Sequence, residues 1–166
     1  LFARLLGPEI FGSYNYLLTL ASLYAILQDG GFRTLIFREL ISPTFQQIEG
    51  RLVSLSLGHN ILVTTGGILI LLILPFKGSF LLTLAVISFG LVTTTSFFSS
   101  QLRGKGLFAT EARWRVMTRT LGAVSVLALI FLFEPTIQWI FGGTIVGYCI
   151  ALALRPATCK LKFFFK

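Results

Sequence analysis

The stretch SFLLTLAVISFGLVTTTSFFSSQL, residues 79–102, indicates the class of fold. It carries no charged residue, and it is longer than the roughly 20 apolar residues that cross the hydrocarbon core of a bilayer. The same composition continues through the chain: 55% of the 166 residues are hydrophobic and 12% are charged, against roughly a quarter charged in a soluble domain. Segments that are apolar on all faces are surrounded by lipid or by other helices. The sequence therefore predicts an all-α, polytopic membrane helix bundle.

Five segments of the chain are long and apolar enough to be spanning helices. Two of the connections between them, PFKGS and FEPT, place a proline at a helix end, which favours a tight turn between antiparallel neighbours. The predicted spans are residues 13–28, 55–76, 79–102, 116–133 and 136–154. Residues 1–166 then form a single transmembrane domain.

The distribution of the 14 lysines and arginines predicts the orientation in the membrane. Twelve of them lie in residues 33–51, 103–119 and 155–166, and the other two are Arg4 and Lys77. Because basic residues favour the cytoplasmic side, we expect those loops and the C-terminus to be cytoplasmic. The net charge of +8 does not indicate nucleic-acid binding, since the basic residues lie in short loops rather than along one helix face.

The segment AILQDGGFRTLIFREL, residues 25–40, ends the first predicted span. Asp29 marks the cytoplasmic end of that helix, and Gly30 and Gly31 permit a bend. Beyond them, apolar residues recur at helical spacing while the charged residues occupy other faces. This pattern predicts an amphipathic helix that lies in or near the membrane interface.

No catalytic or metal-binding pattern is visible in the sequence. The chain has one histidine, no nucleotide-binding glycine loop, and two cysteines without the spacing of a metal site. We therefore predict that the protein is not an enzyme and that it has no cofactor or metal.

Polar residues within the predicted spans are the remaining candidates for function, because hydrocarbon makes them costly. They either bond neighbouring helices or line a substrate path, and both interpretations are open. In the fifth span, Gly143, Gly147 and Ala151 form a small-residue face that predicts close helix packing. The candidates for a substrate path are Asn15, Thr19, Ser22, His59, Asn60 and Arg119, with Asp29 at the end of the first span.

The basic loop RGKGLFATEARWRVMTR, residues 103–119, also has two interpretations. It either sets the topology and anchors an aromatic residue at the interface, or it contacts anionic lipid or a phosphorylated headgroup. Within it, Arg119 begins an apolar helix and is the arginine best placed to reach a cavity.

Two stretches of the chain resemble a known family. Residues 3–40, ARLLGPEIFGSYNYLLTLASLYAILQDGGFRTLIFREL, resemble the N-terminal part of bacterial polysaccharide-biosynthesis membrane proteins. These are the O-antigen flippase-like members of the multidrug/oligosaccharidyl-lipid/polysaccharide exporter superfamily. LRGKGLFATEARWRVMTR is similar to the family's cytoplasmic loop before its fifth helix. The resemblance implies that the five spans are helices two to six of a six-helix lobe, with the first helix and the second lobe absent.

The resemblance also implies a function. Such a lobe flips lipid-linked oligosaccharides or polysaccharide precursors across the bacterial inner membrane by alternating access, with membrane lipids and a second lobe or chain as further partners. Asp29, Arg33 and Arg119 would then meet the pyrophosphate of the substrate or serve coupling, with His59, Asn15 and Thr19 lining the path.

The alternatives are a drug or small-solute exporter of the same superfamily and a non-transporting subunit or truncated remnant. A membrane glycosyltransferase is disfavoured because the outward loops are only a few residues long.

Overall fold

The computed structural model describes residues 7–41, 49–73, 78–133 and 135–156. Within these ranges the chain forms α-helices and no strands, which confirms the all-α prediction. Arg4, Lys77 and the basic tail from residue 157 onward, which contributed to the predicted orientation, lie outside the described residues. The helices are α1 (Pro8–Asp29), α2 (Phe32–Ile41), α3 (Glu49–Ile73), α4 (Ser79–Gly104), α5 (Phe108–Leu132) and α6 (Ile137–Ala153).

Helix lengths match those of a multi-pass membrane protein. Four stretches among the described residues are long and apolar enough to cross a membrane: Pro8–Ile41, which comprises α1 and α2, Gly50–Ile73, Ser79–Gly104 and Phe108–Leu132. The fifth predicted span corresponds to α6, a shorter apolar helix of 17 residues. At 1.5 Å per residue it is roughly 26 Å long, slightly less than the roughly 30 Å of a hydrocarbon core.

Helix α4 is the centre of the bundle, since it packs against each of the other five helices in the described ranges. Its buried positions are mostly small or hydroxylated, and small residues allow membrane helices to approach closely. Two of the buried hydroxyls bond within the helix: Ser88 donates to the carbonyl oxygen of Ala85, and Thr95 donates to that of Val92. The buried residues of this kind are Ala85, Ser88, Gly90, Thr93, Thr95, Ser99, Ser100 and Gly104.

Helix α2 is separated from α1 by Gly30 and Gly31, whose φ angles of 52° and 77° lie in the left-handed region. Glycine adopts this region without steric cost, so the pair ends α1 and lets α2 begin in a new direction. The apolar face of α2, Ile36 and Leu40, is fully covered by a core cluster that includes Phe97 and Trp114. The amphipathic pattern predicted from the sequence is thus present, and the apolar face packs on protein.

Helices α5 and α6 pack backbone to backbone. A Cβ added to Gly143 would lie 2.6 Å from Val126 Cα, and one added to Gly147 would lie 2.7 Å from Gly122 Cα. Ala151, one turn further on, is completely buried. The small-residue face of α6 therefore points at α5, and this contact fixes the position of the cleft described next.

Candidate functional site: an arginine-lined cleft

A cleft of about 180 Å³ opens where α4, α5 and α6 meet the start of α2. Among the described residues that line it, four are arginines and five carry hydroxyl groups. Val92 and Trp114 complete the wall. The arginines are Arg33, Arg103, Arg115 and Arg119, and the hydroxyls belong to Thr95, Ser96, Ser99, Thr118 and Tyr148.

Helical spacing places these side chains on one surface. On α4, Ser96, Ser99 and Arg103 follow one another at intervals of three and four residues. On α5, Arg115 and Arg119 are four residues apart. Residues three and four apart lie on the same face of a helix. The end of α4 and the start of α5 thus present their polar groups toward the same space.

Glu111 is the buried carboxylate beside the cleft. Its Oε1 accepts hydrogen bonds from Ser99 Oγ and from Arg115 Nη2. Arg103 Nε lies 3.6 Å from the same oxygen. Because 41% of the Arg103 side chain and 52% of the Arg115 side chain are exposed, both arginines still face the solvent-accessible part of the cleft.

The cleft keeps an excess of positive charge. Arg33 pairs with Asp29 at 2.8 Å, and Glu111 pairs with Arg115 and approaches Arg103. No carboxylate within the described ranges forms an ion pair with Arg119. Four guanidinium groups against two carboxylates leave an excess of two positive charges, which favours a dianion.

Trp114 gives the cleft a rigid wall. Its ring is buried and packs edge-on against Phe98, with the ring centroids 6.2 Å apart. Its indole Nε1 donates a 3.1 Å hydrogen bond to the carbonyl oxygen of Thr95. This bond ties α5 to α4 at the level of the arginines.

An apolar groove of about 410 Å³ adjoins the cleft and shares Arg119 and Tyr148 with it. The groove runs between α5 and α6, and Tyr14 of α1 also lines it. The hydroxyl of Thr144 in its wall is bonded to the carbonyl oxygen of Ile140, so it presents little free polarity. The other lining residues are Gly122, Ala123, Val126, Leu127 and Ile140.

The structure brings two of the predicted path residues, Arg33 and Arg119, into the cleft. Asp29 is adjacent through its ion pair with Arg33. Asn15, Thr19 and Ser22 lie instead on an exposed face of α1. The hydroxyls of Thr19 and Ser22 are bonded to the carbonyl oxygens of Asn15 and Thr19 in their own helix.

The other two predicted path residues, His59 and Asn60, make contacts between helices. His59 Nε2 lies 2.9 Å from the carbonyl oxygen of Leu27, so this nitrogen carries a proton and caps the last turn of α1. Asn60 is buried and donates to the carbonyl oxygen of Gly90 and to Thr94, both at 2.8 Å. Both residues therefore fasten α3 to its neighbours.

Sequence reasoning did not select Arg103, Arg115, Thr95, Ser99 or Tyr148 as path residues. The signal present in the sequence was the basic loop of residues 103–119, whose second interpretation was contact with a phosphorylated headgroup. Sequence reasoning also missed Gln28, which is completely buried and whose Nε2 donates to Thr64 Oγ1 and to the carbonyl oxygen of Val86, both at 3.0 Å.

Among the described residues, no three His, Cys, Asp or Glu side chains are grouped so that they could hold a metal ion. No protein-family model, curated protein or solved structure matches this chain. The site itself therefore carries the argument about function.

Proposed function

We propose that this protein is a lobe of a membrane transporter that flips a lipid-linked oligosaccharide across the bacterial inner membrane. The cleft of four arginines binds the pyrophosphate of that substrate, and its end of the bundle faces the cytoplasm. The observation that carries the proposal is the excess of two positive charges in a cleft at the end of membrane-length helices.

The chemistry of the lining favours a phosphate over other anions. Guanidinium groups are planar and form paired hydrogen bonds with phosphate oxygens. Hydroxyl groups, here those of Ser96 and Thr118, add donors that suit the remaining oxygens. Basic pockets between membrane helices on the cytoplasmic side bind phosphorylated lipid headgroups, and Arg33 and Arg103 of this cleft lie at helix ends.

The same charge argues against export of cationic drugs. The two carboxylates near the cleft, Asp29 and Glu111, are both paired with arginines. A cationic solute would have to displace a guanidinium group from a carboxylate and would then meet the remaining arginines. The lipid-linked sugar is therefore favoured over the small-solute alternative.

The direct test is binding of pyrophosphate to the purified protein in lipid nanodiscs, measured by calorimetry. Arg119→Ala is expected to weaken binding at least tenfold, since losing a hydrogen bond to a charged group costs about 1.5–3 kcal/mol. Arg113→Ala is the control, because Arg113 is exposed on α5 and does not line the cleft. Equal binding by the two variants would contradict the assignment of the cleft.

Transport is tested by complementation. The chain is expressed alone, and then with its genomic downstream region, in a bacterium that lacks its surface-polysaccharide flippase. Rescue that is lost with Arg119→Ala and kept with Arg113→Ala supports flipping. Pyrophosphate binding without rescue by either form points to the non-transporting subunit.

A further inference from the structure

The apolar groove between α5 and α6 is continuous with the arginine cleft. Arg119 and Tyr148 belong to both, so a ligand whose charged group contacts Arg119 has its next atoms at the mouth of the groove. Along α5, the groove extends from Arg119 to Leu127, a rise of about 12 Å at 1.5 Å per residue. A charged end and an apolar extension together are the outline of an amphiphile.

We infer that the groove holds the first part of a hydrocarbon chain attached to the phosphate in the cleft. This inference rests on the proposed function, and it adds where the lipid part of the ligand lies. The ligand class is a phosphate or pyrophosphate ester of a single hydrocarbon chain. Free sugar phosphates and nucleotides have no apolar part to place there.

The wall of the groove suits a chain of this kind. Val126, Leu127 and Ile140 supply apolar surface, and Ala123 leaves an open position on the same face of α5. At Gly122 a Cβ would lie 3.1 Å from Tyr148 Cε2, so a larger residue there would push the Tyr148 ring. Glycine thus lets that ring lie close to α5 at the point where cleft and groove join.

The first part of the experiment measures how affinity depends on chain length. The probes are inorganic pyrophosphate and a series of ethyl, butyl and hexyl phosphates, with the whole chain in nanodiscs. Each methylene that is transferred from water into the groove raises affinity by about fourfold, the equivalent of about 0.8 kcal/mol. Partitioning into the nanodisc also depends on chain length, so the result rests on the difference between variants.

Ala123→Phe fills the groove, and Ala128→Phe is its control. Ala128 is also exposed on α5, but it lies five residues further on, on another face that does not line the groove. We expect Ala123→Phe to flatten the dependence on chain length and to leave binding of inorganic pyrophosphate unchanged. Ala128→Phe should behave like the unsubstituted protein. If Ala123→Phe does not fold, Leu127→Asn, which makes the exposed wall polar, gives the same comparison.

The outcomes separate the groove from the cleft. The same chain-length dependence in Ala123→Phe and Ala128→Phe overturns the groove assignment, while pyrophosphate binding that depends on Arg119 keeps the cleft. Absence of pyrophosphate binding in the unsubstituted protein overturns the proposed function and this inference with it.

A single hydrocarbon chain attached to a phosphate could come from two sources, an isoprenoid carrier or an acyl glycerolipid. Tighter binding of farnesyl phosphate than of lysophosphatidic acid, which carries the same monophosphate ester, supports the carrier, and the reverse order keeps the groove but contradicts the lipid-linked sugar.

Discussion

Replacing single glycines of α6 by alanine tests the packing that places the cleft. Alanine at position 143 would place its Cβ 2.6 Å from a Cα of α5, and alanine at position 147 would place its Cβ 2.7 Å from another. Carbon atoms in contact are about 3.5–4.0 Å apart, so alanine at either position requires the helices to separate by about 1 Å. Overpacking of this size costs about 1–3 kcal/mol. The atoms that would have to move are backbone, which cannot rotate away.

Gly142→Ala is the control for Gly143→Ala. The nearest heavy atom to a Cβ at position 142 is Leu129 Cδ1, at 4.0 Å, which is an ordinary contact. Both substitutions gain the same helix propensity, about 1 kcal/mol, so that gain cancels when the two variants are compared. We expect Gly143→Ala to lower the free energy of unfolding by about 1–3 kcal/mol relative to Gly142→Ala.

The assay is unfolding of the detergent-solubilised protein by a denaturing detergent, followed by circular dichroism. A second measurement is pyrophosphate binding, because separating α6 from α5 moves Tyr148 away from Arg119 in the cleft. Equal stability of Gly142→Ala and Gly143→Ala would mean that the two helices do not approach as closely as described. Loss of stability with unchanged binding would mean that the α5–α6 contact does not set the geometry of the cleft.

Three further substitutions test other contacts. Trp114→Phe keeps the aromatic ring but loses the indole hydrogen bond, and should lower the free energy of unfolding by about 1 kcal/mol in the same assay. Gly30→Ala should cost about 1–2 kcal/mol for its left-handed backbone, as Gly31→Ala should. Gly30→Ala should cost more than Gly31→Ala, because its Cβ would lie 2.7 Å from His59 Nε2. In the His59→Ala background, Gly30→Ala should cost only the backbone part. Glu111→Gln should tighten pyrophosphate binding about tenfold, the equivalent of about 1.4 kcal/mol, because it frees the guanidinium groups of Arg103 and Arg115. Weaker binding would instead show that the carboxylate holds these arginines in place.

The fold was largely predictable because hydrophobic length is a local property of the sequence. The apolar stretch 79–102 became α4, Ser79–Gly104, with nearly the predicted bounds. The start of α5 was placed at residue 116, but the helix begins at Phe108. The charged residues between these positions ended the apolar segment without ending the helix. Hydropathy therefore located the spans and could not locate their polar extensions.

The site was predictable only in part, because it depends on which helix faces are brought together. Arg119 was selected as a charge at the start of an apolar segment and Arg33 through the family resemblance, and both line the cleft. Tyr148 gave no such signal, since its position follows from the glycine contacts that bring α6 against α5. Asn15, Thr19 and Ser22 are spaced to lie on one face of a helix, but periodicity alone does not say whether a face is covered. In the structure that face of α1 is exposed.

The central position of α4 has a consequence for how the chain is made. Each of α1, α2 and α3 contacts α4 more extensively than it contacts the other two. During synthesis these helices enter the membrane before their main packing partner has left the ribosome. Helices α1, α2 and α3 therefore form most of their helix–helix contacts only after Ser79–Gly104 has been synthesised. Chains that stop short of α4 should accordingly be the forms that quality-control proteases remove first.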